Sequence, residues 1–180
     1  MIRTALTMAF ALAGTVSFAS AQALDLPPRK PGQWEVKIES QKPAGAPAMA
    51  MQACIDAATD KELMEFGLRM GKDKCQRFEM KREAGNIVID ATCKVGPVAS
   101  TTRTIISGDF QSAYNVKIDG TTTMSAPGMP SGPQPMQMTQ AGRWVAATCG
   151  GGMVPGDIQM QGLPKMNIKQ LKQLAPMLGL

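Results

Sequence analysis

Histidine is absent from this 180-residue chain, and its absence excludes several kinds of chemistry. Ser-His-Asp and Cys-His nucleophilic catalysis both need an imidazole base, and the commonest metal sites use imidazole ligands. Catalysis would have to rest on carboxylates, lysine or the single tyrosine, and no acidic pair is singled out by its spacing. We therefore expect a protein that is not an enzyme and holds no cofactor.

Aromatic residues are also scarce, with two tryptophans, one tyrosine and five phenylalanines. Lysine and arginine together exceed the acidic residues by 19 to 14, but they are scattered along the chain. A nucleic-acid-binding surface needs clustered basic residues, usually interleaved with aromatic ones. The sequence therefore predicts no nucleic-acid partner.

The N-terminus carries the longest uncharged apolar stretch. Arg3 precedes an uncharged segment, residues 4–18, which is followed by the small residues Ala19–Ala23. A short positive region, an apolar region and an Ala-x-Ala site are typical of a secretory signal peptide. Residues 1–23 are predicted to be cleaved off, after Ala23 or else after Ala21, and the protein is expected in the periplasm. The apolar run is shorter than the roughly 20 residues that span a bilayer, which argues against a membrane anchor. No later stretch is long and apolar enough to be a transmembrane helix, so no integral membrane span is expected after cleavage.

All four cysteines follow this segment: Cys54, Cys75, Cys93 and Cys149. An even number in an exported chain favours two disulfides, and the wide spacings do not suit zinc or a Cys-x-x-Cys redox site. A hairpin centred on Ala84 brings Cys75 opposite Cys93, although side-chain parity then requires a bulge near the turn or near Cys75. That pairing leaves Cys54 for Cys149. The alternative joins Cys54 to Cys75 across a predicted helix and leaves Cys93 for Cys149.

Alternation of apolar and polar residues predicts most of the fold. Trp34, Val36 and Ile38 alternate with charged residues, which indicates a strand with one buried and one solvated face. Similar segments recur as far as Cys149, separated by glycine, proline and asparagine turns. They predict a mainly β fold, an antiparallel meander of about seven strands. Because a long meander must protect its edges, we expect a sandwich or a closed, barrel-like sheet.

One helix is predicted inside the meander, over about residues 59–70. The sequence Thr59-Asp60-Lys61-Glu62 has the pattern of a capping box with Thr59 as the cap. Apolar residues at helical spacing follow as far as Met70, and Gly71 is a natural residue to end a helix.

The region after Cys149 differs from the rest of the chain. Gly150–Gly152 predicts a flexible linker, and Ile168, Leu171 and Leu174 predict a weak C-terminal helix. The predicted organisation is therefore a signal peptide at 1–23, a disulfide-bearing β domain at 24–149, and a glycine-rich linker with a tail helix at 150–180.

Several short motifs occur in an order that resembles one bacterial family. They are Pro31–Glu35 (Pro-Gly-Gln-Trp-Glu), Gln52–Ile55, the two cysteines around a Gly-Asn turn, Pro127–Pro130, and Gly142–Trp144 before the last cysteine. Over about residues 30–149 the chain resembles the domain-of-unknown-function family numbered 3617. The resemblance implies an exported envelope protein and supplies no catalytic residue.

Methionine is unusually common, with 15 in the chain. Two Met-x-Met pairs, Met49/Met51 and Met136/Met138, would each project from one face of a strand. Thioethers are soft ligands that select Cu(I), but methionine also fills irregular apolar space in a core that is poor in aromatic residues.

Taken together, these features predict a non-catalytic binding module of the cell envelope, with a lipid or another apolar small molecule as its ligand. The residues expected to line the ligand cavity are Trp34, Met49, Met51, Met136, Met138 and Trp144. One alternative is a structural or interaction protein whose partner is another envelope protein. The other is Cu(I) binding by the four methionines of the two pairs.

Overall fold

The computed structural model describes residues 26–125 and 132–175. The predicted signal peptide and the Pro127–Pro130 motif lie outside these residues. The described elements, in chain order, are β1 (Gly32–Lys42), β2 (Met49–Ile55), α1 (Ala57–Lys74), β3 (Cys75–Glu83), β4 (Asn86–Val95), β5 (Val98–Gly108), β6 (Ala113–Met124), β7 (Gln134–Ala146), β8 (Asp157–Met160), β9 (Met166–Asn167) and α2 (Ile168–Leu174).

The strands form one antiparallel sheet in the order β3-β4-β5-β6-β7-β1-β2-β8-β9. The prediction of a mainly β, antiparallel fold with one long helix is confirmed. Two details differ: the described part of the chain has nine strands rather than about seven, and the sheet is not closed into a barrel. Closure is not needed to protect β3, because this edge strand carries Arg77, Glu79 and Lys81, and charged side chains discourage edge-to-edge pairing.

The two faces of the sheet differ sharply in polarity. On one face Trp34 lies opposite Ala53 and Trp144, and the buried core cluster comprises Trp34, Val36, Ala53, Ile55 and Tyr114. On the other face many of the alternating residues are charged or polar, and some pair across strands, as in the ion pair between Glu35 and Arg143. Leu63 of α1 packs against the core cluster, so α1 lies on the apolar face.

Helix α1 is the connection from β2 to the distant edge strand β3. It contacts β2 towards one edge of the sheet and β3 and β4 at the opposite edge. In the sheet order, four strands lie between these two contact regions, namely β5, β6, β7 and β1. The helix therefore crosses over the middle of the apolar face. No helix in the described ranges is long and apolar enough to span a bilayer.

The helix begins earlier than predicted. Its cap is Asp56, whose side chain accepts a 2.8 Å hydrogen bond from the Thr59 amide, while the Asp56 amide donates to the Thr59 hydroxyl at 3.0 Å. Thr59 is therefore the third helical residue rather than the cap. Aspartate is at least as good a cap as threonine, which explains why the helix starts at Ala57.

The helix also continues past Gly71 to Lys74, so the predicted end at Gly71 is wrong. Gly71 lies within the helix, where its missing side chain makes room for the ring of Phe78. A Cβ at this position would lie 2.5 Å from Cε2 of that ring. The glycine serves close packing of α1 against β3 and does not end the helix.

Both disulfides form in the pairing that hairpin geometry favours. Cys75 lies opposite Cys93 and is bonded to it, and the ladder is irregular between Cys75 and Arg77, which is one of the two places predicted for the bulge. Cys54 is bonded to Cys149. The second bond fastens the end of β2 to the segment that follows β7.

The region after Cys149 is not a linker followed by a separate tail. Strand β8 pairs with β2, β9 pairs with β8, and Ile168 at the start of α2 is completely buried. The glycines at 151, 152 and 156 have positive φ, so they form defined turns rather than a flexible linker. The amide of Gly156 donates to the Cys54 carbonyl at 2.8 Å. The predicted boundary at residue 150 therefore falls inside the sheet domain.

Candidate functional site

A cleft of about 180 Å³ lies between α1, the apolar face of the sheet and the segment before β1. Its lining comes from three separated parts of the sequence. The lining residues are Leu26, Pro27, Arg29, Leu63, Met64, Ile106, Phe110, Tyr114 and Val116.

The floor of the cleft is formed by β5 and β6. Ile106 and Val116 lie directly opposite each other in the ladder, and Tyr114 is two residues away on the same face. The Tyr114 ring packs against Trp34 with ring centroids 5.5 Å apart. Across the next ladder stands Gly142, and a side chain there would overlap the Tyr114 ring. A glycine in β7 thus makes room for the aromatic floor.

The rim is shaped by the loop between β5 and β6. Phe110 has φ of 59°, a left-handed conformation that is uncommon for a non-glycine residue and costs conformational energy. Its ring stacks against Tyr114 at 6.0 Å between centroids. Asp109 holds the loop by accepting hydrogen bonds from the amides of Gln111, Ser112 and Ala113 and from the Ser112 hydroxyl.

These hydrogen bonds keep the pKa of Asp109 well below its usual range, with the Ser112 hydroxyl as the largest cause. A lowered pKa in the folded state means that the stabilisation is complete above the unfolded-state pKa of about 4 and is lost as the pH falls below it. We expect the melting temperature of the wild-type protein to fall more steeply between pH 5 and pH 2 than that of Asp109→Asn.

Thermal unfolding followed by circular dichroism across this pH range measures the difference. Asp73→Asn, which changes an exposed aspartate on α1, is the matched control and is expected to follow the wild-type curve. Parallel curves for wild type and Asp109→Asn would show that the loop does not depend on the charge of Asp109.

The segment before β1 forms the remaining wall. The Lys30 amide donates to the Phe110 carbonyl at 2.9 Å, and the Lys30 carbonyl accepts from the Trp34 indole at 2.8 Å. The Trp144 indole donates to the Pro31 carbonyl at 2.9 Å, and the Lys30 ammonium lies 3.7 Å from the centroid of that ring. Both tryptophans therefore anchor this segment over the sheet.

Arg29 is the one charged residue among those that line the cleft. Its Nε donates to Oδ1 of Asp60 at 2.7 Å, and its backbone amide donates to Oδ2 at 2.8 Å. The arginine side chain is 14% exposed and the aspartate side chain 1%. The guanidinium lies 5.8 Å from the centroid of the Tyr114 ring. A fixed, mostly buried cation is thus present in an otherwise apolar cleft.

The six residues predicted to line a ligand cavity lie elsewhere on the same apolar face. Trp34 is fully buried in the core cluster, and Trp144 packs against that cluster. Met138 lies opposite Ile118, and Met136 lies opposite Gly120, further along the face from Val116. The remaining two, Met49 and Met51, are on β2, where Met49 is 50% exposed. None of the six is among the residues lining the cleft.

The register keeps the two methionine pairs apart. Met49 lies opposite Ile38 of β1, and Ile38 lies opposite Gln140 of β7. Met49 is thus two strands away from β7, which corresponds to roughly 10 Å, and Met138 lies two residues further along. Among residues 26–125 and 132–175, no group of three or more acidic or cysteine side chains is placed to hold a metal ion.

Sequence patterns did not reveal Arg29, Leu63 or Phe110 as cleft residues. Arg29 precedes the first alternating segment and belongs to no motif. Leu63 fits an ordinary helix face. The positive φ of Phe110 could not be predicted, because phenylalanine normally avoids such values. The turn residues Ser107–Asp109 were the one available signal, since they mark the loop that presents the phenylalanine.

The fold is that of a two-disulfide, antiparallel β-sheet protein with an apolar cleft, and its disulfides indicate an oxidising compartment. The chain matches the family described as protein of unknown function (DUF3617) over residues 29–149, and it belongs to that family. Comparisons with curated proteins and with solved structures gave no match. Strands β8 and β9 and helix α2 lie beyond the matched region.

Proposed function

We propose that this protein is a non-catalytic, periplasmic binding protein for a lipid or another apolar small molecule, which it holds in the cleft beneath α1. The observation that carries this proposal is the cleft itself: eight of its nine lining residues are aliphatic, aromatic, proline or methionine. Ligand sites are typically concave and mainly apolar, with a few polar groups that orient the ligand. The cleft has this composition.

The path of α1 supports the same interpretation. The helix contacts β2 towards one edge of the sheet and β3 and β4 at the opposite edge. Between these two contact regions, apolar surface of β5 and β6 beneath the helix is available to a ligand. Beyond the cleft the same face continues through Ile118 and Met138, which are only partly buried. An elongated apolar ligand could therefore extend along the face from the cleft.

The experiment is a binding titration with the apolar fluorescent probe N-phenyl-1-naphthylamine on protein purified from the periplasm. We expect wild-type protein to bind the probe and Val116→Phe to weaken binding roughly tenfold or more, about 1.4 kcal/mol, because the larger ring fills the cleft. Val154→Phe is the matched control, since Val154 is 56% exposed on a loop, and it should bind like wild type.

Native mass spectrometry of the same preparation tests whether a cellular ligand is retained. A bound adduct of lipid size that is lost on denaturation would support the proposal. Protein that carries no adduct and binds no probe would contradict it, and the role of an envelope interaction protein would then become the better hypothesis.

A further inference from the structure

Arg29 indicates which apolar ligands suit the cleft. We propose that the ligand is a single-chain amphiphile with an anionic head: the head is bound by the Arg29 guanidinium, and the alkyl chain occupies the cleft. This inference rests on the proposed function and adds the chemical class of the ligand.

The orientation of the guanidinium is the first argument. Arginine carries five N–H donors in a planar fork, and Asp60 takes the one on Nε at 2.7 Å. Among the described residues, Asp60 is the one side chain that accepts hydrogen bonds from Arg29. Within the described part of the chain, the two terminal amino groups therefore have no side-chain acceptor, and their parallel donors match the two oxygens of a carboxylate or phosphate.

The placement of Asp60 is the second argument. One of its oxygens accepts from Nε and the other from the Arg29 amide, and its side chain is 1% exposed. The carboxylate is therefore directed at Arg29 and is shielded from the cleft. It fixes the arginine in place, and a ligand in the cleft meets the cation rather than the anion.

The surroundings of the guanidinium are the third argument. Tyr114, Leu63 and Val116 line the cleft beside Arg29, and in such surroundings a charge-assisted hydrogen bond is stronger than in water. An anionic head would bind Arg29 while a hydrocarbon chain covers the apolar lining. A neutral apolar molecule would cover the lining but leave the terminal amino groups without an acceptor.

The test compares ligands that share a chain and differ in the head. Displacement of N-phenyl-1-naphthylamine is measured with decanoate, decyl phosphate, decanol and decyltrimethylammonium, below their aggregation concentrations. We expect the two anions to bind wild-type protein roughly tenfold or more tightly than decanol, and the cation to bind least. The relative affinities of decanoate and decyl phosphate distinguish a carboxylate head from a phosphate head.

Two variants connect the preference to Arg29. Arg29→Met with Asp60→Asn removes both charges without leaving a buried carboxylate unpaired, and Arg29→Lys keeps the charge but loses the planar fork. We expect the double variant to bind decanoate and decanol with similar affinities. Arg29→Lys should lose part of the preference.

The outcomes separate this inference from the proposed function. Equal binding of decanoate and decanol to wild-type protein would overturn the anionic-head inference and leave the binding function intact. A preference that persists in the double variant would also overturn it, because another residue would then bind the head. Failure of every ligand and of the probe to bind would contradict the binding function itself.

Discussion

Replacing Cys54 and Cys149 by alanine should destabilise the protein more than replacing Cys75 and Cys93. The first bond joins residues 95 apart in sequence and the second joins residues 18 apart. When stabilisation comes from restricting the unfolded chain, such bonds contribute about 4.7 and about 3 kcal/mol respectively. The Cys54 side chain is also buried, so its loss removes packing as well.

Urea unfolding of the two double variants and of wild type measures this difference. The free energy of unfolding should rank wild type highest, then Cys75→Ala/Cys93→Ala, then Cys54→Ala/Cys149→Ala. The short-loop variant is the matched control, because it removes the same number of sulfur atoms from the same sheet. Equal losses would mean that contacts near each bond, rather than loop length, determine their contributions.

Ile168→Ala should lower the free energy of unfolding by about 2–5 kcal/mol, as is usual for truncating a fully buried isoleucine. Ile168 is 0% exposed, and its amide donates to the Gly156 carbonyl at 2.9 Å. Leu163→Ala is the control: Leu163 is 53% exposed, and an exposed substitution usually changes stability by less than about 0.5 kcal/mol. Thermal and urea unfolding compare the two.

A chain that ends at residue 150 extends this prediction. Without β8, the outer edge of β2 would present unpaired backbone groups, and such edges promote association. We expect the truncated protein to form larger species than wild type in size-exclusion chromatography with light scattering, while Ile168→Ala should have the same molecular mass in solution as wild type. A stable, monomeric truncated chain would show that β8 and α2 are dispensable for protecting the sheet.

The alternation in β1 was sufficient to predict its buried face, since side chains alternate strictly along a strand. Parity also indicated that the hairpin needs a bulge near the turn or near Cys75, and the irregularity lies next to Cys75. The closed sheet and the linker were wrong for a shared reason. Strands β8 and β9 have four and two residues, which is too short for periodicity to show, and β8 depends on pairing with β2, which is distant in sequence.

The cleft was harder to predict because its lining residues are ordinary within their own segments. Val116 belongs to a regular strand and Leu63 to a regular helix face. Only the path of α1 over β5 and β6 places them together with Arg29. The register places Met136 and Met138 on the apolar face with Trp34, but parity cannot give the position along a strand at which a helix covers that face.

The position of β1 in the sheet has a consequence for the order in which the chain can assemble. β1 lies between β2 and β7, and β7 begins at Gln134. During synthesis, β1 can pair with β2 early, but its other edge has no partner until most of the chain has been made. Pairings between segments so distant in sequence form slowly. A newly made chain should therefore stay incompletely folded for a comparatively long time, which is the state in which a polypeptide can still be threaded through a narrow channel.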